Sequence, residues 1–246
     1  DDGDDSTLLA DFKRKIGALD IDQAEKDKLI ATASKALIQA FKPAYTSLVT
    51  TLEKIEAKAD TKDGAWKFPD GEAFFNNALK NTTTTTLTAN EIHEIGLSEV
   101  ARIHGEMRQI MKKVKFDGDL QAFFEFMRHD KQFFYDETAE GKKRYLDEAV
   151  ALIDNMKSRL DELFIVKPKA DMIVKQVEAF REQSAGKAFY QQPAPDGSRP
   201  GIYYANLYRM SDMPTYQMEA LAYHEGIPGH HMQIAIAQEL QGVPKF

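Results

Sequence analysis

The chain has 246 residues, 43 % hydrophobic and 29 % charged, which is enough apolar material for one large core or two smaller ones. Its net charge of −7 argues against nucleic acid or an anionic membrane as the main partner, since both need concentrated basic surface. No apolar run approaches the ~20 residues of a membrane span. The absence of cysteine excludes disulfides and thiolate ligands, so any metal must be held by nitrogen and oxygen.

In chain order, residues 1–7 are acidic and expected to fray. From about Ile21 to Ala57, Leu29, Ile30, Ala33, Leu37, Ala40, Phe41, Tyr45, Leu48 and Leu52 recur at three- and four-residue steps, a helical stripe bent at Pro43. Asp60 to Pro69 is turn-like, with Trp66 expected to anchor it to the core. Thr82–Thr86 reads as a loop. Thr88-Ala89-Asn90-Glu91 is a capping box that opens a helix. His93 and His104 lie on that helix about 16 Å apart by rise, too far to share an ion, so each reads as a surface or core-edge histidine. Further helices are expected over about Leu120 to His129 and Ala139 to Phe164. After Pro168 the pattern changes, and Asp171–Val177, Ala188–Tyr190 and Gly201–Leu207 read as strands separated by proline and glycine. Pro214 suits the first turn of a helix that runs into the histidine cluster. The expected fold is mainly α with a small antiparallel sheet before that helix. The expected organisation is a helical region over 1–170 and a sheet plus motif helix over 171–246.

The chemistry concentrates in Tyr223-His224-Glu225-Gly226-Ile227-Pro228-Gly229-His230-His231-Met232-Gln233, which holds half of the six histidines. In H-E-x-x-H, histidines four apart share one helix face and one zinc, and the glutamate serves as general base. Here proline occupies position 228, where the second ligand would stand. On an unbroken helix His230 would face away from His224, and His231 would sit about 10 Å along the axis. Pro228 cannot donate to the His224 carbonyl, and Gly229 tolerates unusual backbone angles. Pro-Gly therefore predicts a break that returns His230 to the side of His224. Equally, a Pro-Gly pair between helices is often only a turn, and paired histidines are often a solvated surface feature.

The segment His224–Gln233 resembles the signature of the bacterial domain-of-unknown-function family 885, a family grouped with the zincin metallopeptidases. Thr85–Leu97 is similar to that family's T-x-E-E-I-H-x-x-G-L segment. Asp196–Asn206 is similar to its D-G-S-R-P-G-x-[FY]-[YV]-x-N segment. Three matches in the same order span most of the chain.

The resemblance implies a multi-helix, zincin-like zinc peptidase that hydrolyses short peptides. His224 and His230 would bind the zinc, with His231 in reserve because some members keep only the histidine matching His230. Glu225 would act as general base, taking a proton from the attacking water. An edge strand would hold extended peptide. Gly201–Leu207 is the strand expected nearest the site, with Tyr203, Tyr204 and Asn206 as candidate substrate contacts, although strand tyrosines also commonly pack inward. Family chains are longer, and the third zinc ligand is expected beyond residue 246, on a downstream helix. Glu239, on the motif's own helix, is a poor substitute. The residues therefore read as an incomplete part of the enzyme, associating with a C-terminal part. Periplasmic or cell-envelope lipoprotein placement follows from the resemblance, and the start at Asp1 fits a removed signal or a cloning boundary. The competing reading is a non-catalytic helical binding or scaffold module of the cell envelope.

Overall fold

The structure, a computed structural model, describes residues 6–242. Residues 1–5 of the acidic stretch expected to fray lie outside the described residues. The chain divides into two compact units, between Ala101 and Arg102. Within the second unit the helix over Ala139–Arg159 packs directly on the strand over Met172–Gln176.

The first unit contains α1 (Thr7–Gly17), α2 (Gln23–Ala36), α3 (Lys42–Glu56), α4 (Gly71–Thr83) and the start of α5 (Ala89–Lys113). Asp22 caps α2 by accepting the Glu25 N–H at 2.8 Å. The backbone stays helical from Gln23 to Glu56 but widens to a π-helical turn over Leu37–Phe41. That turn lies just before Pro43, whose ring and missing N–H disrupt regular i→i−4 bonding. The long helix and its irregularity are thus as expected, but no residue of α2 or α3 is buried: Leu29, Ile30, Ala33 and Leu37 are half-buried, and the stripe from Ile38 onward is exposed. Trp66 also departs from expectation. It is 77 % exposed, with its ring turned back over Gly64 instead of reaching the core. The threonine run is helical through Thr83, and only then becomes a loop.

The capping box forms as read. Glu91 accepts the Thr88 N–H at 2.8 Å, and the Glu91 N–H donates to Thr88 Oγ1 at 3.3 Å. The hydrogen bonds to Thr88 hold the Glu91 carboxyl below its ordinary pKa.

The second unit contains the rest of α5, then α6 (Leu120–His129), α7 (Ala139–Arg159), strands β1 (Met172–Gln176), β2 (Ala188–Gln191) and β3 (Gly201–Ala205), and helices α8 (Thr215–Glu225) and α9 (His230–Glu239). Asp119 and Thr138 cap α6 and α7, accepting the N–H groups of Ala122 and Gly141. Every residue of β3 is buried, because it is the central strand. The sheet is mixed, and this corrects the antiparallel expectation for one pair. β2 runs antiparallel to β3, but β1 runs parallel to it, with Val174 opposite Tyr203. Parallel neighbours need a long connection, and here that connection contains the whole of β2.

One core ties the sheet to the helices. Tyr145, Ala149 and Ile153 repeat every four residues on α7 and pack with Tyr203 of β3 and with Met218 and Ala222 of α8. Ala149 and Ala222 are completely buried and small, which lets α7 and α8 approach closely.

Candidate metal and catalytic site

α8 stops at Glu225, and α9 starts at His230. The break has a chemical cause at each step. Pro228 has no N–H for the His224 carbonyl. The Gly229 N–H instead reaches back to the Tyr223 carbonyl at 2.9 Å, and the His231 N–H takes the Gly226 carbonyl at 3.0 Å. The Ile227–Pro228 peptide is cis. Gly229 lies so close to the end of α8 that a Cβ there would sit 1.9 Å from the His224 carbonyl oxygen. The expected irregularity at 226–229 is therefore present.

Its effect is to fold His230 back onto His224. The two rings meet edge to face, with centroids 4.8 Å apart and planes at 81°. His224 is exposed, and His230 is half-buried. His230 Nδ1 lies 3.5 Å from Gln233 Oε1, at the outer limit of a hydrogen bond.

Glu225, between the exposed His224 and the break, is only 8 % exposed. None of the hydrogen bonds or ion pairs among the described residues engages its carboxylate. Tyr203 Oη is the buried side-chain polar atom without a partner among the described residues, so the Glu225 oxygens keep contact with solvent and are open to a group that arrives with a proton or a positive charge. The Glu225 charge reaches the fully buried Tyr203. Burial, first, then the neighbouring Tyr145 hydroxyl and Glu225 push the Tyr203 pKa well above the ordinary range. The Tyr203 hydroxyl makes no geometrically acceptable hydrogen bond, although Tyr145 is near enough to influence its ionisation.

His231 has a different role from its neighbour. It is 1 % exposed, with Nε2 2.9 Å from the Ala170 carbonyl and Nδ1 2.8 Å from the Tyr190 hydroxyl. A carbonyl only accepts, so Nε2 carries the proton and Nδ1 accepts from tyrosine. Burial lowers the His231 pKa and favours this neutral form. With both nitrogens committed, His231 fastens α9 to β2 and to the segment before β1, and the reserve ligand assignment has no free nitrogen to rest on.

The candidate substrate contacts are likewise occupied. Tyr203 is in the core. Tyr204 stacks on Phe189 at 4.9 Å and donates to Glu178 at 3.1 Å. Asn206 Nδ2 lies 2.7, 3.1 and 3.2 Å from the carbonyls of Glu182, Ala185 and Gly186, and its Oδ1 accepts the Tyr208 N–H at 3.1 Å. Asn206 thus closes the loop between β1 and β2. Asn206→Ala should destabilise the protein by about 1–3 kcal/mol, measured by urea unfolding. An unchanged midpoint would show that water replaces these bonds without loss.

Sequence reasoning missed Tyr190. Besides holding His231, its ring stacks on His230 with centroids 6.4 Å apart. Burial raises its pKa to about 12, so it stays a hydroxyl donor. Its pairing opposite Tyr203 in the β2–β3 register was the usable signal, but it requires knowing the strand alignment. Glu239 is held by Lys169, whose N–H donates to it at 2.7 Å.

The residues fit a metal in part. Two imidazoles converge, and an unpartnered buried carboxylate lies beside the first. Among the described residues no group of three or more histidine, cysteine, aspartate or glutamate side chains is arranged to hold an ion.

Fold and site together define a mainly helical protein with a three-stranded mixed sheet and a His-Glu…His pair carried across a helix break. The chain belongs to the family described as bacterial protein of unknown function (DUF885), whose model matches residues 2–246. It is similar to a crystal structure described as that of the "putative lipoprotein" from Colwellia psychrerythraea. The two share 30 % identity with a TM-score of 0.85, and the match covers 94 % of this chain and 40 % of that one. The chain thus spans about two fifths of that protein's length. Comparison with curated proteins gives no match. Among the described residues no helix is long and apolar enough to cross a membrane.

Proposed function

We propose that this chain supplies part of the active site of a zinc-dependent peptidase acting on short peptides in the bacterial cell envelope. The observation that carries the reading is the apposition of His224 and His230, 4.8 Å apart across the Pro-Gly break, beside the buried Glu225. The two histidines would hold the metal. A bound zinc supplies Lewis acidity toward the scissile carbonyl and lowers the pKa of water. Glu225 takes a proton from the attacking water and returns it to the leaving amine. Its lack of a side-chain or backbone partner leaves both oxygens available.

Extended peptide is best held on β2. β3 is paired on both sides, so its backbone groups are committed. β2 pairs with β3 on one side only, and it carries Tyr190 beside His230. Strand addition to that open edge would bring a peptide toward the histidines. The placement in the envelope rests on the similarity to the Colwellia protein.

A catalytic zinc normally has three protein ligands, and the described residues bring together two histidines. The third is assigned to polypeptide outside these residues. Purified alone, the 246-residue chain should bind zinc weakly and hydrolyse no peptide. The protein as its gene encodes it should carry stoichiometric zinc and lose it in His224→Ala and in His230→Ala. Metal analysis beside a peptide assay decides this. Stoichiometric zinc and full activity in the 246 residues would place the third ligand within them. A zinc-free, folded encoded protein would favour the non-catalytic scaffold reading.

A further inference from the structure

The first unit presents a face that its own described residues do not cover. Ile38, Phe41, Tyr45, Leu48, Leu52 and Ile55 alternate steps of three and four, and all are 40–59 % exposed. The stripe runs about 26 Å along the helix. An exposed apolar patch of this extent marks an interface. The three-four alternation is the pattern of a seam that takes knobs from a second helix. The flanks add apolar width and little charge, with Leu37, Ala44, Val49 and Thr51 alongside and only Lys42 and Glu56 charged. A cleft of about 570 Å³ continues the seam toward α1, sharing Phe41 with it and Leu37 and Ala44 with its flank, and lined further by Leu8, Phe12 and Ala33.

We propose that this face is the seat of an apolar-faced helix from polypeptide encoded by the same gene outside these 246 residues. The inference stands apart from the metal reading. It rests on the stripe and on a comparison of lengths. The Colwellia protein reproduces this fold at a TM-score of 0.85, with 60 % of its own chain lying outside the match. Polypeptide joined to this fold is present at high effective concentration. A broad, weakly charged seam suits such a permanent partner, because charge-poor flanks would discriminate poorly among free ones.

These 246 residues have no cysteine, so within them an introduced thiol reports its own site, and in the encoded protein peptide mapping assigns the label to it. Leu48→Cys and Leu52→Cys are to be labelled with a thiol reagent in the encoded protein and in the 246-residue chain, with peptide mapping. Thr50→Cys, on the opposite helix face, is the control. The proposal expects labelling at 48 and 52 to be slowed by about 100-fold or more in the encoded protein, as for a site that reacts only on local opening. It expects fast labelling at both in the isolated chain and fast labelling at 50 in each. Equally fast labelling at 48 and 52 in the encoded protein overturns it. Protection that appears in the isolated chain as its concentration rises also overturns it, in favour of a second copy.

Discussion

Glu225→Gln should leave the zinc content of the encoded protein nearly unchanged while reducing peptide hydrolysis by about 10²–10⁴-fold, the range of a lost general base. The amide keeps the size of the carboxylate but cannot accept the proton. The residue is 8 % exposed, which leaves little room for a free base from solution to replace it. Since the proposal gives the metal to the histidines, its retention separates the two roles. Wild-type turnover in this variant would remove Glu225 from the chemistry, and loss of zinc would make it a ligand.

Gly229→Ala should destabilise the protein by about 3–5 kcal/mol, in the range of the most damaging single substitutions. The added Cβ would meet the His224 carbonyl oxygen at 1.9 Å and the Tyr223 carbonyl oxygen at 2.4 Å. Both obstacles are backbone at the end of α8, so neither can rotate aside. Relief requires the break itself to open, which would also separate His224 from His230. Gly96→Ala provides the contrast, since Gly96 lies inside α5 with open space around the added carbon. Alanine there should stabilise by up to about 1 kcal/mol. Urea unfolding of both variants, with zinc analysis of the first, tests the pair. A Gly229→Ala protein as stable as the parent would mean that the close approach is not required.

Local chemistry was the most legible part of this chain. The capping box at Thr88–Glu91 and the bounds of α6 depend on residues within a turn of one another, and the sequence shows both. The same holds for the helix break. Proline at 228 and glycine at 229 act on carbonyls only a few residues away, and together they foretold that His230 would return to His224. Strand positions were readable from β-branched and aromatic runs, but strand order was not. Nothing local says that β3 lies between β1 and β2, so its tyrosines looked like candidate substrate contacts when they are core. Tyr190 escaped notice for the same reason, because its contacts with His230 and His231 join residues some forty positions apart. His231 could not be told from His230 by composition, and the difference lies in the distant carbonyl of Ala170. Periodicity also showed that the helix carrying Leu48 and Leu52 has an apolar face, but periodicity is silent on what covers such a face.

The two candidate ligands stand on separate helices, so the bite between them is a joint property of two bodies. α8 is set by the core through Met218 and Ala222. α9 shares that core through Met232 and is further moored through His231 to Ala170, Glu239 to Lys169 and Gln238 to Pro193. An ion gripped by both would act as a clasp, and its affinity would include the work of holding α9 against α8. Changes in the segment before β1, far from the histidines in sequence, would then retune the grip without touching a ligand.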